Sequence, residues 1–238
     1  MDDANLVKHN LTEMMEDAQQ GAQLTQLDLS RCRVDNETDL AVAVTMLTAY
    51  PHITSLHLGQ NSLGLAGALV LAAKFGNGSL GHIQHLDLSY TNTNSRAAYC
   101  ILKALKQQAN IRSLVLSGNN IGKSGAAMLA EVAEELTNLQ VLDVSYVHSF
   151  AAFGMDHLNH ALKASSSLRW LSIEGNDVGN HGIRCLTTAL RKNSSLEVLI
   201  LDYNGITAAG LESLSNALMC HPMLQRLSIA GMLNCPYI

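Results

Sequence analysis

One short pattern recurs eight times along the 238 residues of this chain. The pattern is L-x-x-L-x-L-x-x-N, and its copies start at Leu24, Ile53, Ile83, Ile111, Leu139, Leu168, Leu196 and Leu224. Successive copies begin 28 to 30 residues apart. A nearly fixed period of this length is typical of an array of stacked supersecondary units. The period therefore restricts the fold more than any other feature of the sequence.

Each repeat reads as a short strand followed by a helix. The apolar positions of the pattern predict a buried strand, and Leu186, Ala189 and Leu190 illustrate the helical spacing that follows it. Parallel strands lie about 4.8 Å apart, whereas helices need about 10 Å, so stacking bends the array with its strands inside. We therefore predict an α/β fold, a right-handed strand–helix solenoid. It would form a horseshoe arc of about eight repeats of 28–29 residues, with a parallel sheet on its concave face.

The two ends of the chain differ from the repeats. Residues 1–20 precede the first copy, and they carry one apolar helical stripe, made of Val7, Leu11, Met14, Met15 and Ala18. Because a solenoid needs a cover over its first repeat, we predict an N-terminal helical cap at 1–20 and a repeat domain at 21–238. After the eighth copy, either the last strand closes the array with Pro236 blunting its edge, or the natural chain continues beyond Ile238.

The ninth column of the pattern holds asparagine in half of the repeats. These residues are Asn61, Asn119, Asn176 and Asn204. A buried asparagine can satisfy backbone groups of the turn that leaves the strand, which an apolar residue cannot do. Val147 and Met232 occupy this column in the fifth and eighth repeats, so we expect looser turns there.

The 28- and 29-residue spacing, the strand pattern and the G-x-x-x-L-x-x-A-L type of helix resemble the ribonuclease-inhibitor class of leucine-rich repeat proteins over residues 21–238. Members of that class bind proteins on the concave face, so the resemblance implies a protein-binding role. Similar arrays occur in Ran GTPase-activating proteins, in innate-immune receptors and in effectors of intracellular bacterial pathogens. An effector of the last kind is one candidate for this chain.

Composition excludes several kinds of partner. The formal net charge is −5, so no overall basic field favours nucleic acid or an anionic membrane surface. The five cysteines are odd in number and widely spaced, which predicts neither a disulfide framework nor a zinc site. The acidic N-terminus lacks a secretory signal pattern. We therefore predict an intracellular, cytoplasmic protein, with a host cytosol as its location if it is a secreted effector.

The strand positions between the leucines should face the concave side, because side chains alternate along a strand. The third, fifth, seventh and eighth columns then supply the candidate partner-binding residues. These are Trp170, Tyr203, Tyr146, Tyr90, Asp87, Asp143, Glu174, Asp202, His57, His85, Arg226, Val198 and Ile200. Only 4% of the chain is aromatic, yet its one Trp and three of its six Tyr fall in these columns. Trp and Tyr supply much of the binding energy at protein interfaces, so this concentration favours a binding surface.

Acidic residues outnumber basic ones in these columns, which should steer a basic partner towards the surface. His57 lies between the strands that carry Asp28 and Asp87, with His85 nearby. These two imidazoles and two carboxylates could hold a transition metal or act as acid and base. Three neighbouring strands splay their side chains and imply no pocket, so we predict instead that His57 keeps its proton to higher pH and makes binding pH-sensitive.

These observations predict a non-enzymatic module that captures a protein partner on its concave face, as an inhibitor or adaptor of an intracellular enzyme. The target would have a basic or mixed surface, and the chain would be a monomer or a heterodimer with its target. We predict no catalytic residue, cofactor or metal, since no nucleophile or zinc-protease motif is present. The alternatives are a Ran-type GTPase activator and a fragment of a longer leucine-rich repeat receptor.

Overall fold

The computed structural model describes residues 24–147, 150, 154–219 and 221–232. The predicted cap at 1–20 and the end of the chain after Met232 lie outside these ranges. The described residues form one parallel sheet of eight strands, whose order in the sheet is their order in the chain. The strands are β1 Gln26–Asp28, β2 Ser55–His57, β3 His85–Asp87, β4 Ser113–Val115, β5 Val141–Asp143, β6 Trp170–Ser172, β7 Val198–Ile200 and β8 Arg226–Ser228.

A helix follows each of the first seven strands within the described ranges. These helices are α1 Glu37–Ala49, α2 Gly64–Gly76, α3 Ser95–Leu105, α4 Gly122–Glu135, α5 Met155–Ala164, α6 Gly179–Leu190 and α7 Ala208–Leu218. Each helix packs against the next, so the helices form a second layer beside the sheet. The predicted strand–helix solenoid is confirmed.

The core lies between the two layers. The strand register pairs equivalent columns, for example Leu27 with Leu56 and Leu86 with Leu114. These leucines are almost completely buried, and they join the apolar residues of the helices in one continuous cluster. Because the leucines of each strand point towards the helices, the residues on either side of them must face the other way. The register therefore builds the concave face as well as the core.

The strands end after the fifth column because the chain turns there. At the eighth column the backbone adopts a left-handed conformation, with φ of 59° at Arg31, 60° at Gln60 and 53° at Tyr90. A left-handed residue cannot continue a strand. The seventh and eighth columns, predicted to share the strand surface, therefore lie in turns just past the carboxyl ends of the strands.

Buried asparagines fasten these turns. The side-chain amide of Asn119 donates hydrogen bonds to the carbonyl oxygens of Leu88 and Leu116, at 2.7 and 2.9 Å. Its oxygen accepts from the backbone amides of Thr91 and Thr93, at 3.1 and 2.9 Å. Leu116 belongs to its own repeat, and the other three belong to the preceding one. One buried side chain thus ties two successive turns together, and the predicted role of the ninth column is confirmed.

The other three asparagines also form hydrogen bonds with the preceding repeat. Asn61 accepts a hydrogen bond from the backbone amide of Val34 at 3.1 Å, and Asn204 accepts one from that of Asn176 at 3.0 Å. Asn176 accepts from the amide of Val147 at 2.8 Å. Val147 is itself buried, so the turn expected to be looser is held by the next repeat instead.

We expect Asn119→Ala to lower the free energy of unfolding by about 3 kcal/mol, because buried backbone groups of two repeats lose the side chain that they bond to. Urea denaturation followed by circular dichroism measures the change. Asn120→Ala is the matched control, since Asn120 is the next residue and is exposed. Equal stability of the two variants would show that the asparagine column does not hold the turns.

Candidate functional site

The concave face carries an apolar patch over the fifth to seventh repeats. Trp170 on β6 pairs in register with Val141 on β5 and Val198 on β7, so the three side chains adjoin on one surface. Ile200 lies two residues beyond Val198 on the same strand, facing the same side. All four are partly buried rather than enclosed in the core. We call Val141, Trp170, Val198 and Ile200 the apolar patch.

Ser172 departs from the expectation for its column. Its position two residues after Trp170 predicts an open side chain, yet Ser172 is only 2% exposed. Its hydroxyl lies 2.6 Å from that of Ser145, and one of the two donates a hydrogen bond to the other. The open surface is therefore interrupted between Asp143 and Ile200, and the apolar patch is centred on the third column.

Acidic side chains surround this patch, and they also close turns. Asp87 and Asp143 each accept a hydrogen bond from the backbone amide two residues further on, at 2.8 and 2.9 Å. Asp202 accepts from the hydroxyl of Ser228 at 2.8 Å, in the next repeat. These carboxylates are therefore held in place by backbone and hydroxyl donors. β1, β3 and β5 end in an aspartate that accepts a hydrogen bond from the turn, and its charge remains beside the concave surface.

His57 lies between two carboxylates, as the sequence predicts. Its Nδ1 is 3.8 Å from the Asp87 carboxylate, and Asp28 occupies the neighbouring strand on the other side. The contact with the Asp87 carboxylate raises the pKa of His57 above its ordinary value; burial opposes this shift, and the charge of Asp28 adds to it. The prediction that His57 holds its proton to higher pH is confirmed. Burial, together with the charges of His57 and Arg112, lowers the pKa of His85.

The pKa of Asp143 is also shifted, in the direction that favours the neutral carboxyl group. Burial raises the pKa of Asp143 above its ordinary value, and the charges of Glu174 and Asp87 raise it further. As pH falls, Asp143 therefore loses its negative charge earlier than an exposed aspartate would. His57 gains its positive charge over a pH range that begins higher than usual. Both changes make the concave face less acidic.

Three exposed tyrosines follow the strands at the eighth column. Tyr90, Tyr146 and Tyr203 are 51%, 40% and 58% exposed, and each adopts a left-handed backbone conformation with φ between 53° and 55°. Tyr146 donates a hydrogen bond from its hydroxyl to Glu174, and this bond raises the pKa of Tyr146 to about 12. The phenol of Tyr146 is therefore un-ionised throughout the physiological range.

Each of these rings lies against a glycine of the following repeat. A Cβ atom added at Gly118 would come within 2.3 Å of the Tyr90 ring. One added at Gly175 would come within 2.4 Å of the Tyr146 ring, and one added at Gly231 within 2.4 Å of the Tyr203 ring. We call these alternating residues the tyrosine–glycine row; in order they are Tyr90, Gly118, Tyr146, Gly175, Tyr203 and Gly231.

Sequence reasoning selected the tyrosines but missed their pairing with glycines. The signal was present, because the eighth column alternates between Tyr and Gly from the third repeat to the eighth. Of the remaining candidates, Arg226 is exposed on β8, and His57, His85 and Asp87 lie together on β2 and β3. Apart from Arg226, the predicted residues therefore divide into a histidine–aspartate group, the apolar patch with its acids, and the tyrosines at the strand ends.

Among the described residues, no group of three or more His, Cys, Asp and Glu side chains is arranged to hold a metal ion. None of the helices described above is long and apolar enough to cross a membrane.

The family model described as Leucine Rich repeat matches residues 51–72, 107–130 and 192–215. Each matched segment contains one strand of the sheet and part of the helix after it. The chain carries leucine-rich repeats. They are similar to those of ribonuclease inhibitor from Sus scrofa, which is 28% identical over 161 residues, 67% of this chain and 35% of the inhibitor.

Other leucine-rich repeat proteins resemble it too. The NACHT, LRR and PYD domains-containing protein 3 of Macaca mulatta is 31% identical over 140 residues, which are 58% of this chain and 13% of that protein. The leucine-rich repeat-containing protein LegL7 from Legionella pneumophila has a similar fold, with a TM-score of 0.54 and 20% identity. That match covers 86% of this chain and 73% of the other. The chain thus spans about a third or less of the two curated relatives.

We expect Asp87→Asn to lower the pKa of His57, because the substitution removes the carboxylate whose contact contributes most to the upward shift. An NMR titration of the His57 imidazole measures the midpoint. His82 is the internal control, since burial alone lowers its pKa. The raised pKa means that protonated His57 stabilises the fold at low pH, and this stabilisation is lost as pH rises through the His57 pKa. An unchanged midpoint would contradict the pairing.

We expect Gly118→Ala to lower the free energy of unfolding by about 2 kcal/mol, because a Cβ atom would meet the Tyr90 ring and the backbone there has φ of 69°. Adding Tyr90→Gly removes the collision and should restore about half of the loss. Chemical denaturation of both single variants and the double variant tests this. Strictly additive effects would show that the ring does not rest on Gly118.

Proposed function

We propose that this leucine-rich repeat protein is a non-enzymatic binding module that captures a protein partner on its concave face. The apolar patch carries the proposal, because it places the one Trp of the chain between two valines on an open sheet surface. Aromatic anchors surrounded by polar groups dominate the binding energy of protein interfaces. Trp170 is such an anchor, and Asp143, Glu174 and Asp202 form its polar rim.

The rim makes a basic partner surface the best match. Asp143, Glu174 and Asp202 lie on or beside β5, β6 and β7, the strands that carry the patch. Fixed carboxylates of one sign accelerate encounter with an oppositely charged surface, and salt screens the effect. Binding should therefore weaken as salt concentration rises. Because Asp143 and His57 both make the face less acidic at low pH, it should also weaken as pH falls.

The more specific form of the proposal is an inhibitor or adaptor of an intracellular enzyme. One relative is named for inhibiting ribonuclease, which supports inhibition as a use of this repeat type. Eight strands at about 4.8 Å spacing give a surface roughly 34 Å across, wide enough to cover the active-site cleft of an enzyme. The cytoplasm, or a host cytosol for a secreted effector, is the proposed location.

Affinity capture with immobilised wild type and two double variants tests the proposal. Trp170→Ala with Val198→Ala removes the apolar patch, while Leu69→Ala with Tyr99→Ala removes exposed apolar side chains from helices α2 and α3. The concave variant should bind the captured protein at least about 30-fold more weakly, as expected for a central Trp anchor. The helix variant should bind it as the wild type does.

Circular dichroism first establishes that both variants are folded. Assays of the captured protein with and without the wild-type chain then measure inhibition. Undiminished capture by the concave variant would place the binding surface elsewhere and overturn the proposal.

A further inference from the structure

The spacing of the exposed tyrosines defines a period that a ligand must match. Tyr90, Tyr146 and Tyr203 occupy the same column of every second repeat. Neighbouring parallel strands lie about 4.8 Å apart, so equivalent atoms two repeats apart are separated by about 9.6 Å. The glycines between them have no side chain, and each ring rests on the glycine that follows it. The row is therefore a periodic surface of rings running across the strand ends.

Only some backbone conformations repeat at this distance. In an extended strand, side chains on one face are separated by about 6.7 Å or 13 Å, and neither value matches the rings. A polyproline II helix has three residues per turn and rises about 3.1 Å per residue, so every third side chain points the same way at about 9.3 Å intervals. Such a segment laid along the row would present one side chain to each tyrosine.

Charge indicates which side chain that would be. Glu174 lies in the turn between Tyr146 and Tyr203 and accepts the hydroxyl hydrogen bond of Tyr146. Asp202 lies beside Tyr203, and its carboxylate accepts a hydrogen bond from Ser228 of the eighth repeat. The row itself contains only Tyr and Gly, so it carries no positive charge of its own. A cation over a tyrosine ring gains favourable cation–π interaction, and nearby carboxylates add to it. Arginine meets both requirements, since its planar guanidinium stacks on rings and pairs with carboxylates.

The backbone supplies an independent reason to look for a ligand here. A left-handed conformation costs a tyrosine energy that glycine does not pay, and glycine occupies this column in the fourth, sixth and eighth repeats. Tyrosine thus stands three times where a residue without strain would fit, with about half of its side chain exposed. Arg31 and Gln60 adopt the same conformation, so the turn imposes it on every residue of the column. The informative observation is that three of these positions present an exposed aromatic ring.

We propose that the tyrosine–glycine row binds a polyproline II segment of the partner protein that carries arginine at every third residue. This proposal deepens the proposed function and rests on it, because it assigns the chemistry of the segment that the partner places along the concave rim. Each arginine stacks on one of Tyr90, Tyr146 and Tyr203. Glu174 and Asp202 pair with the arginines over the carboxyl-terminal half of the row.

A labelled peptide of four Arg-Pro-Pro triplets is the probe, and fluorescence anisotropy at low ionic strength measures its binding. One control peptide has the same composition with its arginines grouped at one end. Another has glutamate in place of arginine. The test protein carries Tyr90→Gly, Tyr146→Gly and Tyr203→Gly together, which removes the rings and relieves the backbone strain. Tyr99→Ala, at an exposed tyrosine on helix α3, is the matched control.

An exposed cation–π contact is worth a factor of roughly three in affinity, so losing three rings should weaken binding about 30-fold. Tyr99→Ala should bind the probe like the wild type. The grouped and glutamate peptides should bind more weakly than the triplet peptide. Absence of binding to the wild type, equal binding by the triple glycine variant, or equal binding of the grouped peptide would each overturn the proposal.

The two proposals fail separately. If the triplet peptide does not bind but the Trp170 and Val198 variant still loses its captured partner, the concave binding function stands and the polyproline assignment falls. If the peptide binds through the tyrosines but the Trp170 and Val198 variant captures the partner as well as the wild type does, the assigned chemistry of the row stands and the proposed function falls.

Discussion

Four buried asparagines join the turn of each of their repeats to the turn before it, and the regularity of the sheet depends on this bond. The single side chain of Asn119, for example, satisfies backbone groups in two successive repeats. Without such a partner, the carbonyl and amide groups that point inward at each turn would be buried and unpaired, at a cost of about 1–3 kcal/mol each. The leucines supply the driving force for stacking, but leucine packing alone would tolerate a slip between neighbours. The asparagine bonds permit one register.

That register is what creates a surface able to bind. It brings Val141, Trp170 and Val198 from three repeats side by side, although 28 or 29 residues separate them in the chain. It also places His57 between Asp28 and Asp87. Each strand contributes only three residues. A site on this fold is therefore assembled one or two side chains at a time from successive repeats.

The repeat pattern predicted most of the fold because period and alternation are local properties. Strand positions, parallel order, the burial of the leucines and the role of the asparagines all follow from them, and the structure confirms each. The raised pKa of His57 was also predictable, since a fixed register sets its neighbours. Where the strands end was not predictable in this way, because the left-handed turn at Tyr90 and Tyr146 is a backbone choice that many residue types can adopt.

The repeat pattern also does not predict which side chains of the concave face are buried. Ser172 was expected to be open and is buried, because its hydroxyl bonds with that of Ser145 in the adjoining repeat. Alternation assigns a face to each residue, but it does not include contacts across strands. The packing of the Tyr90 ring against Gly118 is another contact between neighbouring repeats of this kind. Comparing columns between neighbouring repeats, rather than reading each repeat alone, is the way to find such pairs.

The direction of the asparagine bonds gives the array a unit larger than one repeat. The first, third and fifth repeats lack asparagine, and each has its turn fastened by the asparagine of the repeat that follows. Tyr90 and Tyr146 likewise rest on the glycine of the next repeat, joining the third repeat to the fourth and the fifth to the sixth. Asn204 likewise fastens the sixth repeat to the seventh, and Tyr203 rests on Gly231, so the fifth to eighth repeats form one longer run. These side-chain contacts therefore join neighbouring repeats into segments longer than one repeat, and local opening should involve more than one strand at a time.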